Sequence, residues 1–310
     1  MEKSEKIFVA MHEGMIGSAI LRRLQEDGFT RLVTGSSSEL DLTDQKAVGE
    51  FFMREKPDYV FLPSSMMGGI LANSQHPAEF IYTNLMSQTN VIHNAWKSGV
   101  KKLLFLASSC IYPKDCPQPM KEEYLLSGKL EPTSEPYAIA KIAGIRMCQS
   151  YNRQYGARFI SVVPADVYGP GDDFNPETGH VQSALISKMH RAKIEREPAV
   201  VLWGTGSPRR DCLYVDDLAD ACIFLMNNYD ESEMINVGSG RDISIMELAL
   251  LLKDIVGFKG KVTYDKSKPD GAPRKLMDSS KTNKLGWTPK ISLERGITQT
   301  YEWYKDMLVV

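Results

Sequence analysis

Hydrophobic positions along the first half of the chain follow two alternating patterns. Ile7-Phe-Val-Ala10, Leu32-Val-Thr34, Tyr59-Val-Phe-Leu62, Leu103-Leu-Phe-Leu-Ala107 and Phe159-Ile-Ser-Val-Val163 are short runs of apolar, mostly branched or aromatic residues. Bounded by polar segments, such runs read as strands buried on both faces. Between the first two, Met15, Ile16, Ala19, Ile20 and Leu24 fall at helical spacing. Further helices are expected from about Asp44 to Glu55, Asn84 to Lys97 and Glu135 to Tyr155. Strands alternating with amphipathic helices predict an α/β fold built on a Rossmann-type, doubly wound parallel sheet. Right-handed crossovers then leave ligands at the carboxyl ends of the strands.

Beyond Pro164 the texture changes. The loops Tyr168-Gly-Pro-Gly-Asp-Asp-Phe-Asn-Pro176, Trp203-Gly-Thr-Gly-Ser-Pro208 and Lys268-Pro-Asp-Gly-Ala-Pro273 are rich in glycine and proline. Loops of this kind carry function more often than core. The expected division is a dinucleotide-binding domain over 1–164, completed by later segments near 211–240, and a smaller, interleaved C-terminal substrate-binding region over 165–310. Val215-Asp-Asp-Leu218 marks a helix start that leads back to the first domain.

Composition narrows the partners. The chain has 310 residues with a formal net charge of −2 and no basic block, which argues against nucleic acid. No apolar run approaches the ~20 residues of a membrane span. The polar start Met1-Glu-Lys-Ser-Glu-Lys6 lacks the apolar segment of a secretory signal, so the expected location is cytoplasmic. The five cysteines are odd in number and form no CxxC pair, which points away from a disulfide framework or a metal site.

The first strand leads into Ala10-Met11-His12-Glu13-Gly14-Met15-Ile16-Gly17. Gly14 and Gly17 occupy the second and third places of a Gly-x-x-Gly-x-x-Gly loop, and Met11 the first. Such a loop lets backbone approach a pyrophosphate that sits on the helix N-terminus. Met11, His12, Gly14, Met15, Ile16 and Gly17 are the candidate contacts. A side chain at Met11 is expected to crowd the pyrophosphate, and Glu13 to repel it. The second strand ends in Val33-Thr-Gly-Ser-Ser-Ser38, without the acidic residue that holds the ribose of NAD. Its serines, Ser36 among them, suit a 2′-phosphate, so the expected cofactor is NADP(H). Asp41 and Leu42 are placed for the adenine, with Asp41 also a candidate cap for the next helix.

Tyr137-Ala-Ile-Ala-Lys141 puts a phenol and an ammonium on one helical face, a turn apart. The ammonium is expected to stabilise the phenolate and lower the tyrosine pKa from about 10. Ser108, at the carboxyl end of a strand, supplies a hydroxyl to orient a carbonyl.

Ser108-Ser-Cys-Ile-Tyr-Pro113, Pro136-Tyr-Ala-Ile-Ala-Lys-Ile-Ala-Gly144, Ser150-Tyr-Asn-Arg-Gln-Tyr-Gly156, Tyr168-Gly-Pro-Gly-Asp-Asp-Phe174, Gly179-His-Val181, Trp203-Gly-Thr-Gly206, Val215-Asp-Asp217, Asn236-Val-Gly238 and the stretch Ser267 to Lys275 closely resemble the GDP-L-fucose synthase family of extended short-chain reductases. The resemblance covers essentially the whole chain. It implies 3,5-epimerisation and NADPH-dependent 4-keto reduction of GDP-4-keto-6-deoxy-D-mannose by a homodimer. By that resemblance Ser108, Cys110, Tyr137, Lys141 and His180 are catalytic, with Cys110 and His180 the acid–base pair of the epimerisations. Two groups on opposite faces suit a proton taken from one side and returned to the other. Tyr137 stabilises the enolate and protonates O4. Lys141, Pro164 and His180 also meet the cofactor. Lys188, Arg210 and Lys275 match basic positions that contact substrate, and Trp203 packs against nucleotide or sugar.

The chain departs from the family at Met11 for glycine, at Glu13 for arginine, at Ser64 and Ser65 for alanines, and at Ala165-Asp166 for Thr-Asn. These departures keep open a related GDP-keto-sugar, deoxyhexose or heptose, or a paralogue with impaired cofactor binding.

Overall fold

The computed structural model describes residues 1–268 and 270–308; Pro269, in the loop expected from Lys268 to Pro273, lies outside them. Strand β1 (Ile7–Val9) runs through the glycine loop into α1 (Met15–Glu26). Strand β2 (Leu32–Val33) is followed by turns, then by α2 (Gln45–Glu55). Asp44, not Asp41, caps α2: its carboxylate accepts from the amides of Lys46 and Ala47. Asp41 instead accepts from the Thr43 amide and hydroxyl, an Asx turn one step earlier.

Strand β3 (Tyr59–Leu62) leads to a short helix α3 (Ile70–Gln75) and then to α4 (Pro77–Lys97). Helix α4 starts at Pro77, well before the expected Asn84. Its first proline suits a helix N-terminus, but its buried face includes Asn84, Ser87, Gln88, Asn90 and Asn94, which break the apolar period. Asn84 is satisfied by donating to the Phe80 and Met66 carbonyls, at 2.9 and 3.0 Å. Strand β4 (Lys102–Leu106), α5 (Glu135–Tyr155) and β5 (Phe159–Pro164) follow as expected, with Gly156 in the left-handed conformation closing α5.

The later half supplies β6 (Asp166–Tyr168), α6 (Val181–Ile194), β7 (Ala199–Trp203), β8 (Arg209–Tyr214) and α7 (Val215–Asn228). Then come β9 (Ile235–Val237), β10 (Asp242–Ser244), α8 (Ile245–Val256), β11 (Lys261–Asp265), β12 (Arg274–Lys275), α9 (Ser280–Lys284) and α10 (Leu293–Met307). A capping box between Ser244 and Glu247 starts α8.

Among the described residues, a six-stranded sheet has the order β2-β1-β3-β4-β5-β9, parallel throughout. This is the Rossmann-type doubly wound sheet. Its order reverses between β1 and β3, where a ligand crevice opens at the strand ends. Strand β9 and helix α7, late in sequence, complete this unit, and α7 packs on α1. A second core gathers Tyr168, Phe174, Leu185, Met189, Leu248, Leu252, Ile297 and Tyr301 around α6, α8 and α10. It carries two smaller sheets, β10-β8-β12 with β6 beside β8, and β11 with β7. No helix among the described residues is long and apolar enough to cross a membrane.

One close contact sets the height of α5 over the sheet. A Cβ at Gly144 would strike the Phe105 ring of β4. Ala138 and Ala140 of the same helix are fully buried. We predict that Gly144→Ala lowers stability by about 1–3 kcal/mol through overpacking. Thermal unfolding checks this, and an unchanged Tm would show that the helix–sheet spacing is set elsewhere.

Candidate active site

A cavity of about 310 Å³ opens where the crevice of the first sheet faces the second unit. From the first unit it is walled by Met15, Ile16, Ser64, Ser108, Cys110, Tyr137 and Pro164. From the second come His180, Lys188, Trp203, Arg210 and Lys275. The structure thus brings together every expected catalytic and substrate-contacting residue except Lys141, which is 1 % exposed beneath this wall.

Each side chain is positioned by its local chain path. Ser108 follows β4 and caps the single turn Ser109–Ile111, its Oγ facing the Cys110 amide at 3.5 Å. That turn places Cys110 in the cavity wall. Tyr137 lies in the first turn of α5, its hydroxyl 2.9 Å from Ser64 Oγ. The Lys141 ammonium sits 4.6 Å from the Phe105 ring centroid and 6.0 Å from that of Tyr137. His180 stands at the N-cap of α6 but makes no capping bond. Its Nδ1 lies 3.2 Å from an Asp172 oxygen, and Asp172 also accepts from Ser183. Trp203 is not core: Lys188 and Lys268 lie 5.7 and 5.3 Å from its ring centroid.

Arg210 is nearly buried and donates to the Ala272 carbonyl at 2.8 Å. Both Arg210 and Lys275 face Asp166, at 3.5 and 3.8 Å. Burial opposes ionisation of Asp166, but Lys275, Arg210 and His180 outweigh it and hold the carboxyl below its ordinary pKa. Sequence reasoning assigned no role to Asp166, Asp172 or Ser64. The first and last stood out only as departures from the family, and Asp172 only as part of a loop motif.

Protonation differs from expectation at the tyrosine–lysine pair. Burial pushes the Tyr137 pKa up, and nearby hydroxyls oppose this only in part. Burial likewise pulls Lys141 down to about 7, against the charges of Cys110 and Cys148. The phenol is therefore not lowered as expected, because burial disfavours the charged form of both groups. Burial also raises Cys110, opposed by Lys275, Ser108 and Lys141. Burial alone would lower His180, but the hydrogen bond and charge of Asp172, helped by Asp166, raise it.

The cofactor loop has the expected placement and an unexpected conformation. Met11 adopts a left-handed backbone, φ 51°. A Cβ at Gly17 would lie 2.7 Å from the Met11 carbonyl carbon, so only glycine lets α1 approach this turn. The N-terminus of α1 carries no side-chain cap at Gly14 and no acidic residue in its first turn, which leaves its leading amides for an anion. These features fit a dinucleotide pyrophosphate. Met11, His12, Gly14 and Gly17 lie off the cavity wall. So do Ser36, Asp41 and Leu42, and Leu42 packs into the hydrophobic core. Glu13 accepts from the Ser37 amide at 3.0 Å and its hydroxyl at 3.3 Å, while Ser36 and Ser38 pair through their hydroxyls.

The profile of the NAD dependent epimerase/dehydratase family matches residues 7–238, and the chain belongs to that family. GDP-L-fucose synthase 1 from Arabidopsis thaliana is 58% identical over 98% of this chain and 94% of its own. Among solved structures, the GDP-6-OMe-4-keto-L-xylo-heptose reductase from C. jejuni superposes with TM-score 0.95 at 41% identity, covering 99% of each chain. A GDP-L-fucose synthetase from Naegleria fowleri, bound to NADP, superposes with TM-score 0.91 at 27% identity, over 100% of this chain and 97% of that one. The protein is an NADP-dependent epimerase/reductase of the GDP-L-fucose synthase type.

Two predictions follow from the charges. Lys141 has a folded pKa of about 7 and an unfolded one near 10.5. Its contribution to stability is therefore full above about 10.5 and lost as pH falls through about 7. Lys141→Met should raise Tm at pH 6 by about 5 °C or more, the gain fading toward pH 10. Calorimetry across pH would refute this if the variant were no more stable at pH 6. Second, Glu13→Gln removes a carboxylate from the donors of the serine loop. It should tighten NADPH binding about two- to fivefold at low salt, less at high salt, with little change for NADH. Fluorescence titration giving equal affinities would show that Glu13 does not face the 2′-phosphate.

Proposed function

We propose that the chain converts GDP-4-keto-6-deoxy-D-mannose to GDP-L-fucose by epimerising C3 and C5 and then reducing the C4 ketone. The observation that carries this reading is the cavity itself, where Cys110, Ser108, Tyr137 and His180 line one space together with Arg210, Lys188 and Lys275. When bound, NADPH supplies the hydride to C4. The loop Met11 to Gly17 would hold its pyrophosphate, Ser36 and neighbours its 2′-phosphate, and Asp41 and Leu42 would border its adenine. Lys141, Pro164 and His180 border its other end.

The ketone acidifies the protons on C3 and C5. Cys110 and His180 act as the pair that removes and returns them. The raised His180 fits the acid, because Asp172 keeps its ring charged to higher pH. Ser108 and Tyr137 hold the enolate oxygen, and Tyr137 then protonates it. Arg210, Lys188 and Lys275 meet the diphosphate, and Trp203 gives the nucleotide or sugar a flat wall. A GDP-keto-heptose is the second reading, favoured by the likeness to the C. jejuni reductase. We further propose a two-domain division at about residue 164, a cytoplasmic location and a homodimer. The adjacent helices α4 and α5, which leave Tyr82 and Ile139 exposed, would form the dimer contact.

NADPH oxidation with each GDP-keto-sugar tests the reading. Tyr137→Phe should cut reduction by about 10²–10⁴-fold. Cys110→Ser and His180→Ala should each slow deuterium uptake from solvent at C3 or C5 while some direct C4 reduction persists. Undiminished uptake in both variants would mean that other groups move those protons.

A further inference from the structure

The phenol of Tyr137 has a partner that the catalytic assignment does not use. Its hydroxyl lies 2.9 Å from Ser64 Oγ, and both residues are 7 % exposed. Ser64 follows β3, which stands between β1 and β4 at the ligand crevice of the sheet. It lines the same cavity as Ser108 and Cys110. Ser108 Oγ, by contrast, is turned toward the Cys110 amide. No hydrogen bond joins Lys141 to the phenol among the described residues. The hydrogen bond of the phenol at 2.9 Å is the one to Ser64, with the Ser108 hydroxyl also near.

We propose that Ser64 is a positioning residue for the proton transfer at Tyr137, donating a hydrogen bond to the phenol oxygen before and after its proton leaves. This rests on the role given to Tyr137 above. A serine hydroxyl rotates freely and serves as donor or acceptor at one oxygen position. When Ser64 donates, the phenol proton is free to point into the cavity toward the ketone oxygen. In the transfer the Tyr137 O–H bond breaks and the proton goes to that oxygen as the carbon takes hydride from NADPH. The ketone is reduced to the alcohol, the cofactor is oxidised, and the electron pair stays on the phenolate. That charge forms in a buried place, where an unpaired anion is costly. Ser64 is already at hydrogen-bond distance, so no group need move to meet it. Burial raises the Tyr137 pKa, a thiolate at Cys110 adds to the rise, and the bond from Ser64 is foremost among those opposing it.

The test is steady-state NADPH oxidation by Ser64→Ala, Ser64→Thr, Tyr137→Phe and the Ser64→Ala/Tyr137→Phe pair. One neutral hydrogen bond is worth about a three- to tenfold change in kcat. Ser64→Ala should show that loss with KM within about twofold, and Ser64→Thr should recover the rate, since it keeps the hydroxyl. In the Tyr137→Phe background, Ser64→Ala should cost nothing more, because the oxygen it serves is gone. A merely structural serine would lower both backgrounds equally, and that result would overturn the proposal. So would a full kcat in Ser64→Ala beside a collapsed Tyr137→Phe, which would leave the tyrosine's role intact. A parent-like rate in Tyr137→Phe would remove the tyrosine itself from the chemistry, and Ser64 with it.

Discussion

The close approach of α5 to β4 is the constraint on which the rest of the site depends. Gly144 offers no side chain to the Phe105 ring, and Ala138 and Ala140 of the same helix are fully buried. The helix can then lie low enough that Lys141 rests over Phe105 and Tyr137 reaches the end of β3. The positions of Tyr137 and Lys141 inherit this height. It also explains why Lys141 is so completely removed from water, a placement that lowers its proton affinity and costs stability. The strain of a functional group is held by packing that has no chemistry of its own.

Electrostatics organises the opposite wall. Arg210 and Lys275 are cations with little access to water, and without a partner they would repel each other. Asp166 lies between them and tethers both, also accepting from Ser109 at 3.1 Å. Asp172 does the same for His180. The two carboxylates hold these cations and the imidazole in place before any ligand arrives. Lys188 and Lys268 beside Trp203 remain turned to a planar surface. The balance suits a diphosphate, which can enter without reorganising the groups that receive it.

The sheet, the crossover helices and the tyrosine–lysine turn were legible from apolar runs and spacing, because period and spacing are local. The start of α4 was not, since Asn84, Gln88 and Asn90 are buried polar residues whose amides donate to carbonyls distant in sequence. The cap of α2 moved from Asp41 to Asp44 because two aspartates offered similar local chemistry, and the Asx turn at Asp41 took one of them. The residues that gather at the cavity were found through motif resemblance. The groups holding them, Asp166, Asp172 and Ser64, were not, because their meaning lies in contacts made only after folding. Nor does spacing reveal desolvation, which raises Tyr137 where a lowering was expected and lowers Lys141.

The cofactor loop shows why two glycines of one motif are not equally replaceable. The first glycine position requires a left-handed turn. Met11 adopts it at φ 51°, at a cost of about 1–2 kcal/mol for a residue with a Cβ. That cost is conformational and is met by the rest of the fold. The third position is different in kind. At Gly17 a Cβ would collide with the carbonyl of Met11 and crowd His12, and no choice of backbone angle at residue 17 relieves a collision with another segment. A methionine at the first place and a glycine at the third are therefore consistent with one working loop. The departure at Met11 changes how the turn is stabilised, while the approach of α1 to the turn, on which the proposed anion binding at its N-terminus depends, is preserved by Gly17.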